Sequence, residues 1–173
     1  MRILGLDLSS KSTGAAIIED GKLIAYTTIT ASSTDVVKRI QKIVKELEQF
    51  INNNKPIDKV LMEEVRPDGG LNIQTYKTLM WVQAAVAFML HDNCNPAIEY
   101  IYPTSWRSKL KIKQGKGIKR ASLKEADIEF VKNMFNIVTN DDAADAICIA
   151  LSYFKEDREN LAWWKILIFS NKK

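Results

Sequence analysis

The sequence predicts an α/β protein with a mixed five-stranded sheet flanked by helices. Three strand-like segments joined by short turns open the chain, and two further apolar segments alternate with helical ones. Strands joined by tight turns pair antiparallel, whereas strands separated by helices pair in parallel. With 46% hydrophobic and 27% charged residues, the 173-residue chain is globular rather than disordered. We expect one domain over residues 1–155, with an apolar extension over residues 156–173 packed on it.

The first three strands form a predicted antiparallel meander. Residues 1–7 are a short apolar run that ends in the carboxylate of Asp7. A second apolar run follows Gly14, and the dipeptide at 20–21, Asp-Gly, is a typical hairpin turn. Residues 22–29 then form the third strand.

Helical spacing begins after the meander. Apolar residues recur every three or four positions over residues 36–51, and an asparagine run with Pro56 ends that helix. Residues 58–64 form the fourth strand. Asn72 can cap a long, mostly apolar helix that extends to Leu90.

The last third of the chain contains one strand and three helices. The fifth strand covers residues 97–102, and a short helix that places Trp106 in the core begins at Pro103. A basic, glycine-containing loop follows over residues 111–120. Two more helices complete the domain, one over residues 122–135 and one from Asp141 or Asp142 to about residue 154.

Positive charge is concentrated between the fifth strand and the last helix. The net charge is only +4, but eight basic residues fall in a stretch without any acid. Such a segment favours phosphate binding, and because lysines contact phosphates without reading bases, we expect salt-sensitive, structure-directed DNA binding. The residues are Arg107, Lys109, Lys111, Lys113, Lys116, Lys119, Arg120 and Lys124.

Several classes of protein are excluded by what the sequence lacks. No apolar run approaches 18 uncharged residues, so we expect no membrane segment. Cys94 and Cys148 have no CxxC spacing and are interpreted as free thiols in a cytoplasmic protein. His91 is the only histidine, which excludes histidine-based triads and multi-histidine metal sites.

Four carboxylates indicate the chemistry. Asp7 and Glu63 each end an apolar strand, and they converge if those strands are neighbours. Asp142 and Asp145 lie three residues apart on one face of a helix start. Acids at a helix start also fit simple capping, but acids that end two buried strands are costly and need a reason.

Converging carboxylates repel one another unless cations neutralise them. Oxygen ligands without histidine or cysteine suit Mg²⁺ or Mn²⁺. Two such ions about 4 Å apart can activate water and stabilise the leaving oxygen in phosphodiester cleavage. The acids and the basic segment together predict a metal-dependent nuclease.

These motifs resemble the RuvC family of Holliday junction resolvases, within the RNase H-like superfamily. The resemblance covers about residues 1–155 and implies an RNase H-like fold in which the four acids are catalytic metal ligands. Glu63 is preferred to Glu64 because it directly follows the apolar run. The matching segments are residues 3–7 (ILGLD) with Gly14, residues 61–65 (LMEEV), and residues 142–146 (DAADA) running to Leu151.

The resemblance also implies a homodimer that binds a four-way DNA junction and nicks two strands symmetrically, with two Mg²⁺ or Mn²⁺ ions in each active site. The dimer interface would lie on helix 72–90, which is apolar nearly all round, a pattern that burial in the core alone also explains. The loop 65–71 lies where family members insert an apolar wedge, yet it contains no aromatic residue. The dense lysine segment, together with residues 103–107, is more similar to the resolvases of bacteriophages.

Other interpretations stay open. The segment 5–14 also resembles the opening of YqgF-type RNA nucleases, so RNA processing or cleavage of flap DNA is an alternative. It is similar to the phosphate loop of actin-like ATPases too, but 173 residues cannot hold the second domain they need. A non-catalytic DNA-binding scaffold is disfavoured, because without metal the four acids would repel phosphates.

Overall fold

The secondary structure is defined by a computed structural model that describes residues 1–66, 72–115 and 117–155. The predicted extension at 156–173, Lys116 and most of the predicted wedge loop lie outside these residues. A short 3₁₀ turn follows the last helix. In chain order the elements are β1 (Arg2–Asp7), β2 (Ser12–Glu19), β3 (Lys22–Thr30), α1 (Val36–Asn52), β4 (Lys59–Glu63), α2 (Ile73–Asn93), β5 (Ala97–Ile101), α3 (Pro103–Leu110), α4 (Arg120–Phe135) and α5 (Asp141–Ser152).

The strands form one mixed sheet in the order β3-β2-β1-β4-β5. β1 and β3 pair antiparallel with β2, whereas β4 is parallel to both β1 and β5. Asp20 and Gly21 both have positive φ, as the predicted hairpin turn requires. The mixed five-stranded sheet is therefore confirmed, with β1 at its centre between β2 and β4.

The two faces of the sheet are covered by different helices. Leu4 and Leu6 of β1 belong to the apolar core shared with α1 and α2. Ile3, on the opposite side of the same strand, joins the core formed with α3, α4 and α5. Residues 143–152 of α5 are all buried, so this helix lies across the sheet under α3 and α4.

Glycine allows α5 to lie very close to β1. A Cβ atom on Gly5 would lie 2.3 Å from the carbonyl oxygen of Ala146 and 2.8 Å from the Cβ of Ala150. Small residues on both sides of this contact let the backbones approach. The close packing fixes the start of α5 near the end of β1.

Most element ends agree with the sequence prediction to within one to three residues. Asn72 caps α2 as expected, since its side chain accepts a hydrogen bond of 2.8 Å from the backbone N–H of Thr75. The helix continues past Leu90 to Asn93, three residues before Pro96. α4 begins at Arg120, so the last residue of the predicted basic loop is helical. None of the described helices is long and apolar enough to cross a bilayer.

Candidate active site

The central strands bring Asp7 and Glu63 side by side. β1 and β4 are parallel, and Leu6 is paired with Met62. The next residue on each strand is the acid, so both carboxylates lie at the carboxyl ends of neighbouring strands. Both side chains are half-buried.

The first turn of α5 adds the other two acids. Gly14 is paired with Asp7 across β1 and β2. The backbone carbonyl of Asp142 lies directly over that glycine, and the Ser12 hydroxyl donates a hydrogen bond to Asp142 Oδ2. Asp145 follows one turn later and is buried. All four predicted acids therefore gather at one end of the sheet.

Burial raises the pKa values of three acids in this site. Burial, followed by the charges of Glu63 and Asp142, raises the pKa of Asp7 to about 8. Burial, followed by the charge of Asp7, raises the pKa of Asp145 to about 9. Burial also raises the pKa of Glu63, against the effect of a hydrogen bond from Trp106. The site therefore disfavours the ionised form of these three acids, chiefly through desolvation.

The donor chemistry fits a hard divalent cation. The four side chains offer only carboxylate oxygens, and the buried Oδ1 of Asp145 accepts no hydrogen bond. Within residues 1–66, 72–115 and 117–155, no three carboxylate, thiol or imidazole groups stand close enough together to hold a metal ion. The carboxylates would therefore have to move closer to one another to bind one.

Trp106 contributes a contact that sequence reasoning missed. The ring is completely buried, as predicted. Its Nε1–H also donates a hydrogen bond of 3.1 Å to Glu63 Oε2, so the tryptophan orients a predicted catalytic side chain. The partner is 43 residues away on β4, and no local pattern connects the two.

Arg107 does not lie where the sequence prediction put it. Its side chain is buried, and its Nε and Nη2 donate hydrogen bonds of 3.0 and 2.8 Å to Asp127 Oδ2. Asp127, which sequence reasoning also missed, is completely buried on α4. We therefore correct the assignment of Arg107 as a DNA contact, because its charge is used inside the protein. The sequence contained one signal for the burial of Asp127: it lies four residues before Val131, on the same face of α4.

Five of the other predicted DNA-binding residues lie in the described part of the chain, and Lys116 lies outside it. The buried side chain of Ile112 anchors the segment to the core. Arg120 is close enough to the acids for its charge to lower the pKa values of Asp7 and Glu63. Lys109 is half-buried, whereas Lys111, Lys113, Lys119 and Arg120 are exposed.

Lys124 is directed at the edge of the acidic site. It forms an ion pair with Asp141, and its hydrogen bond lowers the pKa of that carboxyl. Asp141 is therefore paired with Lys124, whereas the neighbouring Asp142 belongs to the four-acid cluster.

The helix α2 has two apolar faces. Val82, Val86 and Leu90 are completely buried in the core. On the opposite side, Trp81 is 52% exposed and Phe88 is 74% exposed. These two residues are seven positions apart, so they lie on the same face of the helix.

Comparisons with known proteins agree with this arrangement. Residues 3–153 match the family described as crossover junction endodeoxyribonuclease RuvC. The chain is similar to Thermus thermophilus RuvC in complex with a Holliday junction substrate, with TM-score 0.73, 16% identity, and 92% of this chain and 97% of that chain covered. A comparison with curated proteins finds no match.

Two further solved structures are similar. The yeast mitochondrial Holliday junction resolvase has TM-score 0.55 and 13% identity, covering 95% of this chain and 84% of that one. The fowlpox virus resolvase, in complex with substrate Holliday junction DNA, has TM-score 0.53 and 18% identity, covering 90% and 98%. At these identities the likeness establishes the fold, and the RNase H-like architecture predicted from the sequence is confirmed.

Proposed function

Because the chain belongs to the RuvC family of crossover junction endodeoxyribonucleases, it is an endonuclease of DNA junctions, and we propose that four acids form its active site: Asp7, Glu63, Asp142 and Asp145. One observation carries this assignment. Asp7 and Glu63 leave adjacent parallel strands beneath the first turn of the helix that bears the other two. Acids at the carboxyl ends of strands are held rigidly while the loops beyond them leave room for substrate.

The residues have different parts in this site. Bound Mg²⁺ or Mn²⁺, proposed at two ions per site, would supply activation of water and stabilisation of the leaving oxygen. Asp7 ends the central strand, and burial, followed by the charges of Glu63 and Asp142, raises the pKa of its carboxyl. The Ser12 hydroxyl orients Asp142, and the indole N–H of Trp106 orients Glu63. These neutral donors fix the carboxylates without cancelling their charge.

Branched DNA would lie across the exposed basic residues beside the acids. Lys111, Lys113, Lys119 and Arg120 would contact backbone phosphates, as would Lys109 and the predicted Lys116. Such contacts bind DNA by shape and charge, so selection of a junction would come from the geometry of the complex rather than from base reading. The similarity to a resolvase solved in complex with a Holliday junction substrate supports branched DNA as the ligand.

The symmetric action of the enzyme would come from a homodimer formed through α2. Trp81 and Phe88 give this helix an exposed apolar face, which a second copy of the chain would cover. A two-fold interface presents the same patch from both partners and so places two identical active sites on one junction. Two sites can then nick opposite strands.

The proposed location is the cytoplasm of a bacterium or of a phage-infected cell. Cys94 and Cys148 are both free thiols. Unpaired cysteines agree with a reducing compartment, in which the DNA substrate is also present.

Substrate choice is tested by cleavage of a labelled immobile four-way junction beside a linear duplex of the same sequence, with Mg²⁺, with Mn²⁺ and with chelator. We expect paired, symmetric nicks confined to the junction and dependent on metal. Equal cutting of duplex, flap or RNA would contradict junction selectivity and favour the alternative nucleases. Tight junction binding without any cutting would favour the scaffold interpretation.

A further inference from the structure

The buried ion pair beneath the acidic site has a geometry that connects it to two of the four acids. We propose that Arg107, clamped by Asp127, is a positioning residue that fixes Glu63 and Asp145 relative to one another. This inference rests on the proposed function, because it assigns a role toward the same catalytic carboxylates.

The clamp holds the guanidinium in one orientation. Asp127 Oδ2 accepts hydrogen bonds from both Nε and Nη2 of Arg107, and Nε also lies 3.3 Å from Oδ1. Two bonds from one planar group restrict rotation as a single bond cannot. The two residues come from α3 and α4, so the pair also joins those helices.

The guanidinium extends from this clamp toward both sides of the active site. Its Nη2 lies 3.9 Å from Asp145 Oδ1, the buried oxygen that accepts no hydrogen bond. Its Cζ lies 4.1 Å from the centroid of the Trp106 ring, whose N–H donates to Glu63. Side chains from α3 and α4 thus form a continuous set of contacts with carboxylates on β4 and α5.

Asp127 also controls how strongly Arg107 acts on the active site. Without Asp127, the buried guanidinium of Arg107 would lack a bonded partner, and we expect it to bond Asp145, whose Oδ1 lies 3.9 Å from Nη2. A direct bond there would occupy the oxygen that the proposed cation needs. Pairing with Asp127 neutralises the guanidinium and leaves Asp145 close to it but unbonded. The Arg107–Asp127 pair therefore positions Asp145 without competing with the proposed cation for its carboxylate oxygen.

Trp106→Phe tests the contacts that connect Arg107 to Glu63 through the indole ring, because it removes the N–H donor and keeps an aromatic ring. The measurement is the rise in Tm with added Mn²⁺, without DNA, which gives a half-saturating concentration independent of cleavage. We expect this concentration to increase about tenfold or more, as is usual when a partner of a metal ligand is lost. Junction affinity in chelator should stay within about twofold, since the basic segment is unchanged.

Asp127→Asn tests the contact between Arg107 and Asp145, because loss of the Asp127 charge allows Arg107 to bond Asp145. We expect a similar increase in half-saturating Mn²⁺, and the same increase in the Mn²⁺ needed for junction cleavage. In a Glu63→Gln background, Trp106→Phe should have no further effect on the Mn²⁺ titration, because its partner has already been altered.

Arg2→Lys is the matched control. Arg2 is a partly buried arginine at the opposite end of β1, where it pairs with Glu19 at 2.9 Å and donates to the Asn54 carbonyl at 3.0 Å. We expect a lower Tm in metal-free buffer with an unchanged half-saturating Mn²⁺.

If Trp106→Phe and Asp127→Asn lower only Tm and leave the half-saturating concentration unchanged, as expected for Arg2→Lys, the pair is structural and the inference is wrong. If Asp127→Asn does not fold, Arg107→Lys decides the matter, because it keeps the positive charge but loses the planar donors that bond Asp127; an unchanged half-saturating concentration in Arg107→Lys would contradict the inference. Junction cleavage by the wild-type protein tests the proposed function separately, since the Mn²⁺ titration does not depend on it.

Discussion

Gly14 lies directly beneath the backbone carbonyl of Asp142. A Cβ atom at this glycine would lie 1.9 Å from the carbonyl oxygen, closer than any real contact. The same glycine is paired with Asp7 across β1 and β2. One position without a side chain therefore sets the distance between a strand acid and a helix acid that are far apart in sequence.

Gly14→Ala should displace the first turn of α5 and separate these two acids. We expect a loss of about 1–3 kcal/mol in unfolding free energy from overpacking, and at least a hundredfold loss of junction cleavage because misplaced catalytic groups are ineffective. Gly115→Ala is the stability control, since its new methyl would lie 4.0 Å from the nearest side-chain atom. Equal unfolding free energies for the two variants would contradict the packing described for α5.

The raised pKa of Asp7 predicts a pH-dependent stability in the absence of metal. Its pKa rises from 3.8 to about 8 on folding, so between these values the folded protein binds more protons than the unfolded chain. The free energy of unfolding should therefore fall as pH rises from about 4 toward 8. Asp7→Asn lacks this titration, so its stability relative to wild type should increase over the same range.

Urea unfolding at several pH values, in chelator, measures this difference. A constant gap between wild type and Asp7→Asn from pH 4 to pH 8 would mean that the carboxyl is ionised in both states. Added Mg²⁺ or Mn²⁺ should reduce the pH dependence of the wild type, because a bound cation favours the ionised form.

Phe88→Glu should produce a folded monomer. The residue is 74% exposed on the free face of α2, so a charge there costs little in the isolated chain but opposes burial in an interface. Sedimentation velocity should show a dimer for wild type and a monomer for the variant, with less than half the wild-type symmetric nicking. Val37→Glu, also exposed but on α1, should remain dimeric. An unchanged dimer in Phe88→Glu would exclude α2 as the interface.

Lys119→Ala should weaken junction binding equally for all sequences. The side chain is exposed and precedes Arg120, whose charge acts on Asp7 and Glu63, and a lysine at a phosphate releases about one counterion. The slope of log affinity against log salt concentration should become shallower by about 0.9. Lys132→Ala, exposed near the other end of α4, should leave this slope unchanged. The basic segment would be misassigned if both variants kept the wild-type slope.

The sheet and the positions of the acids were predictable because their signals are local. The hairpin at Asp20 and the apolar runs that end in Asp7 and Glu63 each lie within a few residues. The sequence left open whether the first and fourth strands are neighbours. The pairing of Leu6 with Met62 comes from the structure, in which β4 follows β3 through α1 along the chain but lies beside β1 in the sheet.

The buried contacts under the site were not predictable in this way. Arg107 stands among lysines in the sequence, so its charge was assigned to the surface, and its partner Asp127 lies 20 residues later on another helix. Burial of Trp106 followed from its size, but its hydrogen bond to Glu63 depends on how α3 packs against β4. Such pairings arise from tertiary packing and leave no periodic pattern in the chain.

The most direct test of the proposed active site compares wild type and Asp7→Asn on a four-way junction, measuring both metal-dependent cleavage and affinity in chelator. Metal-assisted stabilisation contributes several kcal/mol, so the variant should lose at least about a hundredfold in cleavage. Its junction affinity should stay the same or increase, because one negative charge facing the phosphates has been removed. Full cleavage by Asp7→Asn would contradict the assignment of the four acids as the active site.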